Sequence, residues 1–178
     1  MKKILFLFFC ALLLSCSNNN DQSNTITEST SLNLVTGINC RQNFDDVTLK
    51  LGNPNTLVNN KFILYPNPAN SQFSIVSQEN MTNIWIVSAN AEKIHQEVNF
   101  ISLLNSNLYS EPSIVSSSNI SLNELTTSNI GINIETLPKG YYKIFVKIGG
   151  QIYWDNLYKY ENNGNNSEQF TLLNNFWN

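Results

Sequence analysis

The stretch Tyr65-Pro66-Asn67-Pro68-Ala69-Asn70 decides how the rest of the chain reads. Just before it, Lys61-Phe62-Ile63-Leu64-Tyr65 is a short apolar run that reads as a strand. Pro66 and Pro68 stop that strand, because proline has no N–H to donate to a ladder. With Asn67 between them they make a stiff corner. Beyond it come short apolar runs broken by Asn, Ser, Gly and Pro, the punctuation of strands and turns.

Working outward, Gln72 to Val76 alternates, with Phe73 and Ile75 on one face. Ile84-Trp85-Ile86-Val87 is continuous and reads as a separate, central strand. Asn90-Ala91-Glu92 reads as a turn, Ile94 to Phe100 as a further strand, and Ser102 to Ser118 as an irregular crossing loop. Ile120-Ser121-Leu122 and Ile130 to Ile134 alternate cleanly. The clearest pair comes last. Tyr142, Ile144, Val146 and Ile148 share one face, with Lys143 and Lys147 pointing the other way. Gly149-Gly150 supplies two residues free to take positive φ, as a two-residue hairpin turn requires. Gln151 to Tyr160 returns, with Ile152, Trp154 and Leu157 directed inward. No segment shows a sustained, capped helical period. The expected fold is all-β: a small antiparallel β-sandwich of immunoglobulin-like type over residues 61–160.

Two motifs carry a resemblance. Tyr65-Pro66-Asn67-Pro68-Ala69-Asn70 opens the strand region, and Leu137-Pro138-Lys139-Gly140-Tyr141-Tyr142-Lys143-Ile144-Phe145-Val146 leads into the final hairpin. In that order they resemble the C-terminal sorting domain of proteins exported by the type IX secretion system. The resemblance implies a small β-sandwich and names Tyr65, Pro66, Asn67, Pro68, Gly140 and Tyr142 as its motif residues. It implies the type IX machinery as a partner.

The chain has 178 residues, 13% of them charged and 42% hydrophobic. Asn and Ser supply most of the polarity and weaken helices. The formal net charge is −3. A mildly acidic chain with no basic cluster is a poor ligand for nucleic acid, whose phosphates need clustered Lys or Arg.

The amino terminus reads as a removable leader over residues 1–15. Lys2-Lys3 is a basic n-region, and Ile4 to Leu14 is apolar but too short to span a bilayer, which takes about 20 residues. Leu13-Leu14-Ser15-Cys16 resembles the lipobox of bacterial lipoproteins. That resemblance implies cleavage before Cys16, a diacylglyceryl thioether on its thiol and a further acyl chain (palmitate-type) on its freed amine. Two or three chains hold a protein essentially permanently, whereas one gives marginal binding. Ser17 follows Cys16 where an inner-membrane lipoprotein carries Asp, so the resemblance implies the outer membrane, with periplasmic or surface orientation left open. Residues 16–32 read as a polar tether, 33–60 as an irregular lead-in with short strands at Leu34-Val35 and Val47-Thr48-Leu49, and 161–178 as a C-terminal extension. In that extension, Gln169 to Leu173 reads as an added strand or a packing segment.

Chemistry-bearing residues are sparse. Once Cys10 leaves with the leader and Cys16 is acylated, Cys40 has no disulfide partner. His95 is the single histidine and reads as a strand-edge residue. Asp45-Asp46 reads as a solvated acidic turn, since a hard-cation loop would need more oxygen ligands at regular spacing. Glu135 and Asp155 are a weak carboxylate pair. Trp85, Tyr153 and Trp154 are candidate ligand-binding aromatics, weighed against a core role. No cofactor, metal site or catalytic set is expected. The leading expectation is a lipid-anchored envelope protein with a non-catalytic sandwich in a structural, adhesive or secretion-accessory role. The competing one is a surface lipoprotein that captures glycan or peptide on an aromatic face; an envelope protein or a glycan is the further partner expected.

Overall fold

A computed structural model describes residues 27–161 and 166–178. The leader, Cys16 and the tether up to residue 26 lie outside the described residues, as does the turn at 162–165. Nine strands run in chain order: β1 (Leu34–Val35), β2 (Gly37–Cys40), β3 (Leu49–Gly52), β4 (Phe62–Tyr65), β5 (Gln72–Ala91), β6 (Ser118–Leu122), β7 (Thr127–Asn133), β8 (Gly140–Ile148) and β9 (Gln151–Lys159). Among the described residues, besides a turn of helix at 27–29, lie the helices α1 (Phe100–Leu103), α2 (Glu111–Ser117) and α3 (Asn166–Trp177).

The fold is an all-β sandwich built around β5. This strand of 20 residues is too long for one layer and serves two. Its first half lies between β4 and β7, with Ile75 opposite both Leu64 and Ile130. Its second half lies between β6 and β8, with Ile86 opposite both Ile120 and Ile144. Register breaks between Val76 and Met81 and again between Met81 and Asn83 mark the passage. Bulged residues there add twist and let the strand change layer. The two runs expected as separate strands are therefore one, because exposed Gln78, Glu79 and Asn80 carry the backbone round the bend instead of ending it. Phe73, Ile75 and Ile132 from one layer meet Ile84, Ile86, Ile144 and Val146 from the other in a single core.

The final hairpin forms as its sequence dictates. Gly149 and Gly150 both hold positive φ (57° and 80°), and Ile148 pairs with Gln151. The outward face expected for Lys143 is covered, however. Phe145, Trp154 and Tyr109 pack there edge-to-face or tilted, and Lys143 is fully buried beneath them. Its Nζ donates to Ser31 O and Tyr109 Oη, both at 3.4 Å.

Five further expectations are corrected. Residues 94–99 are not a strand. His95 takes φ 57°, and the loop is pinned by Asn53 Nδ2, which donates to the carbonyls of His95 and Val98 at 2.9 Å. The crossing loop is partly helical: Ser110 caps α2 by accepting from Ser113 N, with Pro112 in the first turn, a helix-start signature. The lead-in is not irregular. β2 and β3 form an antiparallel hairpin, β1 runs parallel to the end of β5, and Leu57 exchanges backbone hydrogen bonds with Trp154 at 2.9 Å. Order also begins before residue 33, since Ser29 is buried. Finally, the C-terminal extension is a helix and not an added strand, while the other reading of Gln169 to Leu173, a packing segment, holds. Gln169, Leu173 and Trp177 recur every four residues and form its buried stripe. Leu173 and Trp177 join Val35, Ile38, Cys40, Leu51, Tyr158 and Tyr160 in a second, smaller core.

Candidate functional site

The Pro-Asn-Pro corner is the centre of a buried polar network among the described residues. β9 is a terminal strand of its sheet, and an open edge of unpaired N–H and C=O groups is a liability. The corner closes it. The Asn67 carboxamide acts as a peptide group would: its Nδ2 donates to Asn156 O at 2.8 Å and its Oδ1 accepts from Tyr158 N at 3.1 Å. Nδ2 also donates to Asn39 O at 2.6 Å. Ala69 continues the pairing, donating to Tyr158 O and accepting from Tyr160 N, both at 2.9 Å. On its other side Asn67 exchanges backbone hydrogen bonds with Arg41. Pro66 and Pro68, joined through cis peptide bonds, frame it without adding donors. Asn67, Pro68 and Ala69 are buried, while Tyr65 is half-buried with its ring 6.0 Å from Phe44.

A network of amides extends from this corner. Asn156 Nδ2 donates to Gly37 O at 2.9 Å and to Asn55 Oδ1 at 3.0 Å. Asn55 Nδ2 donates to Leu34 O at 2.8 Å, and Trp154 Nε1 donates to Asn55 O at 2.9 Å. Asp155 Oδ1 accepts from Asn39 Nδ2 at 2.9 Å and from Asn156 N at 2.8 Å. Burial nevertheless pushes the Asp155 carboxyl up to about 7, because two hydrogen bonds recover only part of the lost hydration. Desolvation acts on Lys143 in the opposite sense and lowers its amine to about 7. The sequence reading missed the network, although the polar pair Asp155-Asn156 inside an apolar strand was its available signal.

The second motif lies at the start of β8. Gly140 holds φ 155°, and Tyr142 is buried with its hydroxyl donating to Pro138 O at 2.6 Å. Tyr141, on the opposite face, packs tilted against Tyr158 with centroids 4.8 Å apart and lies 5.9 Å from Trp177. The two motifs are therefore joined through β9: Asn67 binds its outer edge while Gly140–Tyr142 pairs along its inner edge.

The candidate ligand-binding aromatics do not form a face. Trp85 is 1% exposed, Tyr153 4% and Trp154 0%, so all three are core. The other chemical candidates are dispersed. The Cys40 thiol is buried and pushed up to about 12, chiefly by desolvation, which suppresses the thiolate. His95 Nε2 is buried with no hydrogen-bond partner. Asp46 Oδ2 accepts from the backbone N–H groups of Gln42 and Asn43, and its carboxyl is held below the usual range by the Asn43 backbone bond. Glu135 is exposed while Asp155 is buried, so they do not face a common cleft. An open groove between residues 27–33 and 108–117 is lined by Ser, Thr and Asn side chains together with Leu32, Leu108 and Tyr109.

Residues 63–110 match the family described as a secretion system C-terminal sorting domain. The match begins in β4, takes in the Pro-Asn-Pro corner and all of β5, and stops before α2; Gly140–Tyr142 lies beyond it. Comparison with curated proteins and with solved structures gave no match. Over those residues the chain is similar to a secretion-related sorting domain, and the corner lies inside the matched stretch.

Proposed function

We propose that this is a lipid-anchored, non-catalytic protein of the bacterial outer membrane whose sorting-type sandwich serves a structural, adhesive or secretion-accessory role. The observation that carries the reading is the sorting-domain match across a corner whose Asn67 closes the edge of β9. The leader pattern and Ser15-Cys16 support the anchor. A non-catalytic role is supported by the separation of the few reactive groups: a suppressed Cys40 thiol, an unpartnered His95 Nε2 and a buried Asp155. The burial of Trp85, Tyr153 and Trp154 removes the support for glycan capture on an aromatic face.

Two measurements on the full chain test this. Cys16→Ala should move the protein out of the membrane fraction; unchanged retention rejects the anchor. Protease accessibility on intact cells, with and without a working type IX system, tests the secretion role. Equal accessibility in both hosts rejects it. Any reporter fusion should begin no later than residue 27, because β1, β2, β3 and Leu57 are integral to the folded unit.

A further inference from the structure

We propose that the tip of the β2–β3 hairpin inserts Phe44, Val47 and Leu49 into the surface of a zwitterionic phospholipid bilayer. The inference rests on the lipid-anchored reading above and adds a second membrane contact, one that sets how the sandwich faces the lipid. Three observations carry it.

First, the tip is apolar and stands clear of the body. Val47 is 92% exposed, Leu49 50% and Phe44 43%. All three fall within residues 44–49, and the half-buried ring of Tyr65 lies 6.0 Å from Phe44. Neighbouring exposed apolar side chains mark an interaction site, whereas single ones are ordinary. Second, hydrogen bonds within the tip occupy several of its backbone groups. Arg41 Nη1 donates to Phe44 O, and its Nη2 donates to Thr48 Oγ1 at 2.7 Å. Asp46 Oδ2 accepts from Gln42 N at 3.1 Å and from Asn43 N at 2.7 Å, while Asp46 N donates to Asn43 O at 3.3 Å. Polar groups satisfied inside a loop lower the cost of taking it out of water, since an unpartnered group in lipid is expensive. The same bonds hold the tip in one shape while its apolar side chains stay exposed.

Third, charge and reach select the lipid. Residues 43–49 carry Asp45 and Asp46 and no Lys or Arg, which opposes an anionic surface and favours one without net charge. Residues 17–26 separate Cys16 from the first described residue, and a stretch of that length reaches at most about 35 Å. Acyl chains on Cys16 therefore keep the tip near the bilayer, where even a weak contact acts at high effective concentration. A protein partner would need a cavity shaped to Val47, whereas a bilayer takes a convex tip as it is. Exposed Asp45 stays among the headgroups as the apolar side chains on either side of it enter.

The test uses the full chain, acylated at Cys16, in phosphatidylcholine vesicles, with Val47→Cys carrying a thiol-reactive fluorophore. Cys40 is buried, so the label goes to position 47. Ile101→Cys is the comparison. Ile101 is 95% exposed, and its helix α1 follows the 94–99 loop that Asn53 pins at the other end of β3 from the tip. Lipids bearing a nitroxide on the acyl chain quench a label that enters the bilayer. Quenching at position 47 should be at least about threefold that at 101, as interfacial burial of the tip requires. It should fall to the level at 101 when Phe44→Ser and Leu49→Ser are added, and it should fall when phosphatidylglycerol is mixed into the vesicles. Equal quenching at the two positions in vesicles that carry the chain overturns the tip and leaves the anchor standing; a tip reserved for a protein partner would give that result. Quenching that rises with phosphatidylglycerol also overturns the proposal. A chain that does not float with the vesicles overturns the anchor and the tip together.

Discussion

Asn67 and Asn156 are joined by a side chain standing in for a strand. The Asn67 carboxamide reaches Asn156 O at 2.8 Å, and its oxygen receives Tyr158 N at 3.1 Å. A peptide unit offers one donor and one acceptor in the same sense, which is why an amide fits where a carboxylate does not. Asn67→Ala should therefore cost about 3–5 kcal/mol, from several buried backbone groups losing partners worth about 1–3 kcal/mol each. Asn67→Asp should cost at least as much, because its carboxylate would face the carbonyls of Asn39 and Asn156. Chemical denaturation measures both; a loss under about 1 kcal/mol for either would show that the corner is ornamental.

The buried Asp155 and Lys143 predict a minimum in stability near neutral pH. Asp155 is raised from 3.8 to about 7, so the folded state holds its proton more tightly than the unfolded chain. Its contribution is fully present below about 4 and is lost as pH rises towards 7. Lys143 is lowered from 10.5 to about 7, so the unfolded chain binds more protons across that interval. Stability is regained as pH rises from about 7 to 10. Asp155→Asn should flatten the acidic limb alone, and Lys143→Met the alkaline limb alone. Urea midpoints collected from pH 4 to 10 decide this, and a monotonic wild-type profile would contradict it.

Trp154 separates a core role from a binding role. It is fully buried, its Nε1 donates to Asn55 O at 2.9 Å, and its ring meets Tyr109 at 4.9 Å. Trp154→Ala should cost about 3–5 kcal/mol, the usual range for removing a large buried aromatic. A variant that stays within about 1 kcal/mol of the wild type and loses binding on a glycan array would return Trp154 to the list of ligand contacts.

These cases show what the sequence made legible. Gly149-Gly150 and the alternation on either side fix a hairpin through local backbone chemistry, and that pair is observed. Pro66 and Pro68 mark a corner for the same reason. The purpose of Asn67 was hidden, because its partners Asn39, Asn156 and Tyr158 are distant in sequence and no local rule brings them together. β5 reads as two runs because the exposed polar residues Gln78-Glu79-Asn80 interrupt its apolar pattern. α3 is hard to read because apolar Phe170, Leu172 and Phe176 stand among Gln169, Leu173 and Trp177 and blur their four-residue spacing. The aromatic strands were ambiguous in principle, since Trp85 and Trp154 look alike on a binding face and in a core until burial separates them.

Gly37 and Gly131 form a matched pair that tests the close approach of the lead-in hairpin. A Cβ on Gly37 would lie 2.5 Å from Pro54 N and 2.6 Å from the Asn53 backbone, atoms that cannot turn aside as a side chain would. Gly37→Ala must therefore push β2 away from the 53–55 segment, straining Asn55 and its bonds to Leu34 O and Asn156 Nδ2. Overpacking of this kind typically costs about 1–3 kcal/mol. Gly131 lies in β7 with nothing within 4 Å of an added Cβ. Gly131→Ala removes freedom from the unfolded chain without a clash, so it should be neutral or stabilise by about 0.4–1 kcal/mol. Opposite signs in thermal denaturation support the packing of β2 on the 53–55 turn. Equal and small effects would mean that the lead-in hairpin stands clear of that turn, and the amide network through Asn55 would then have to be redrawn.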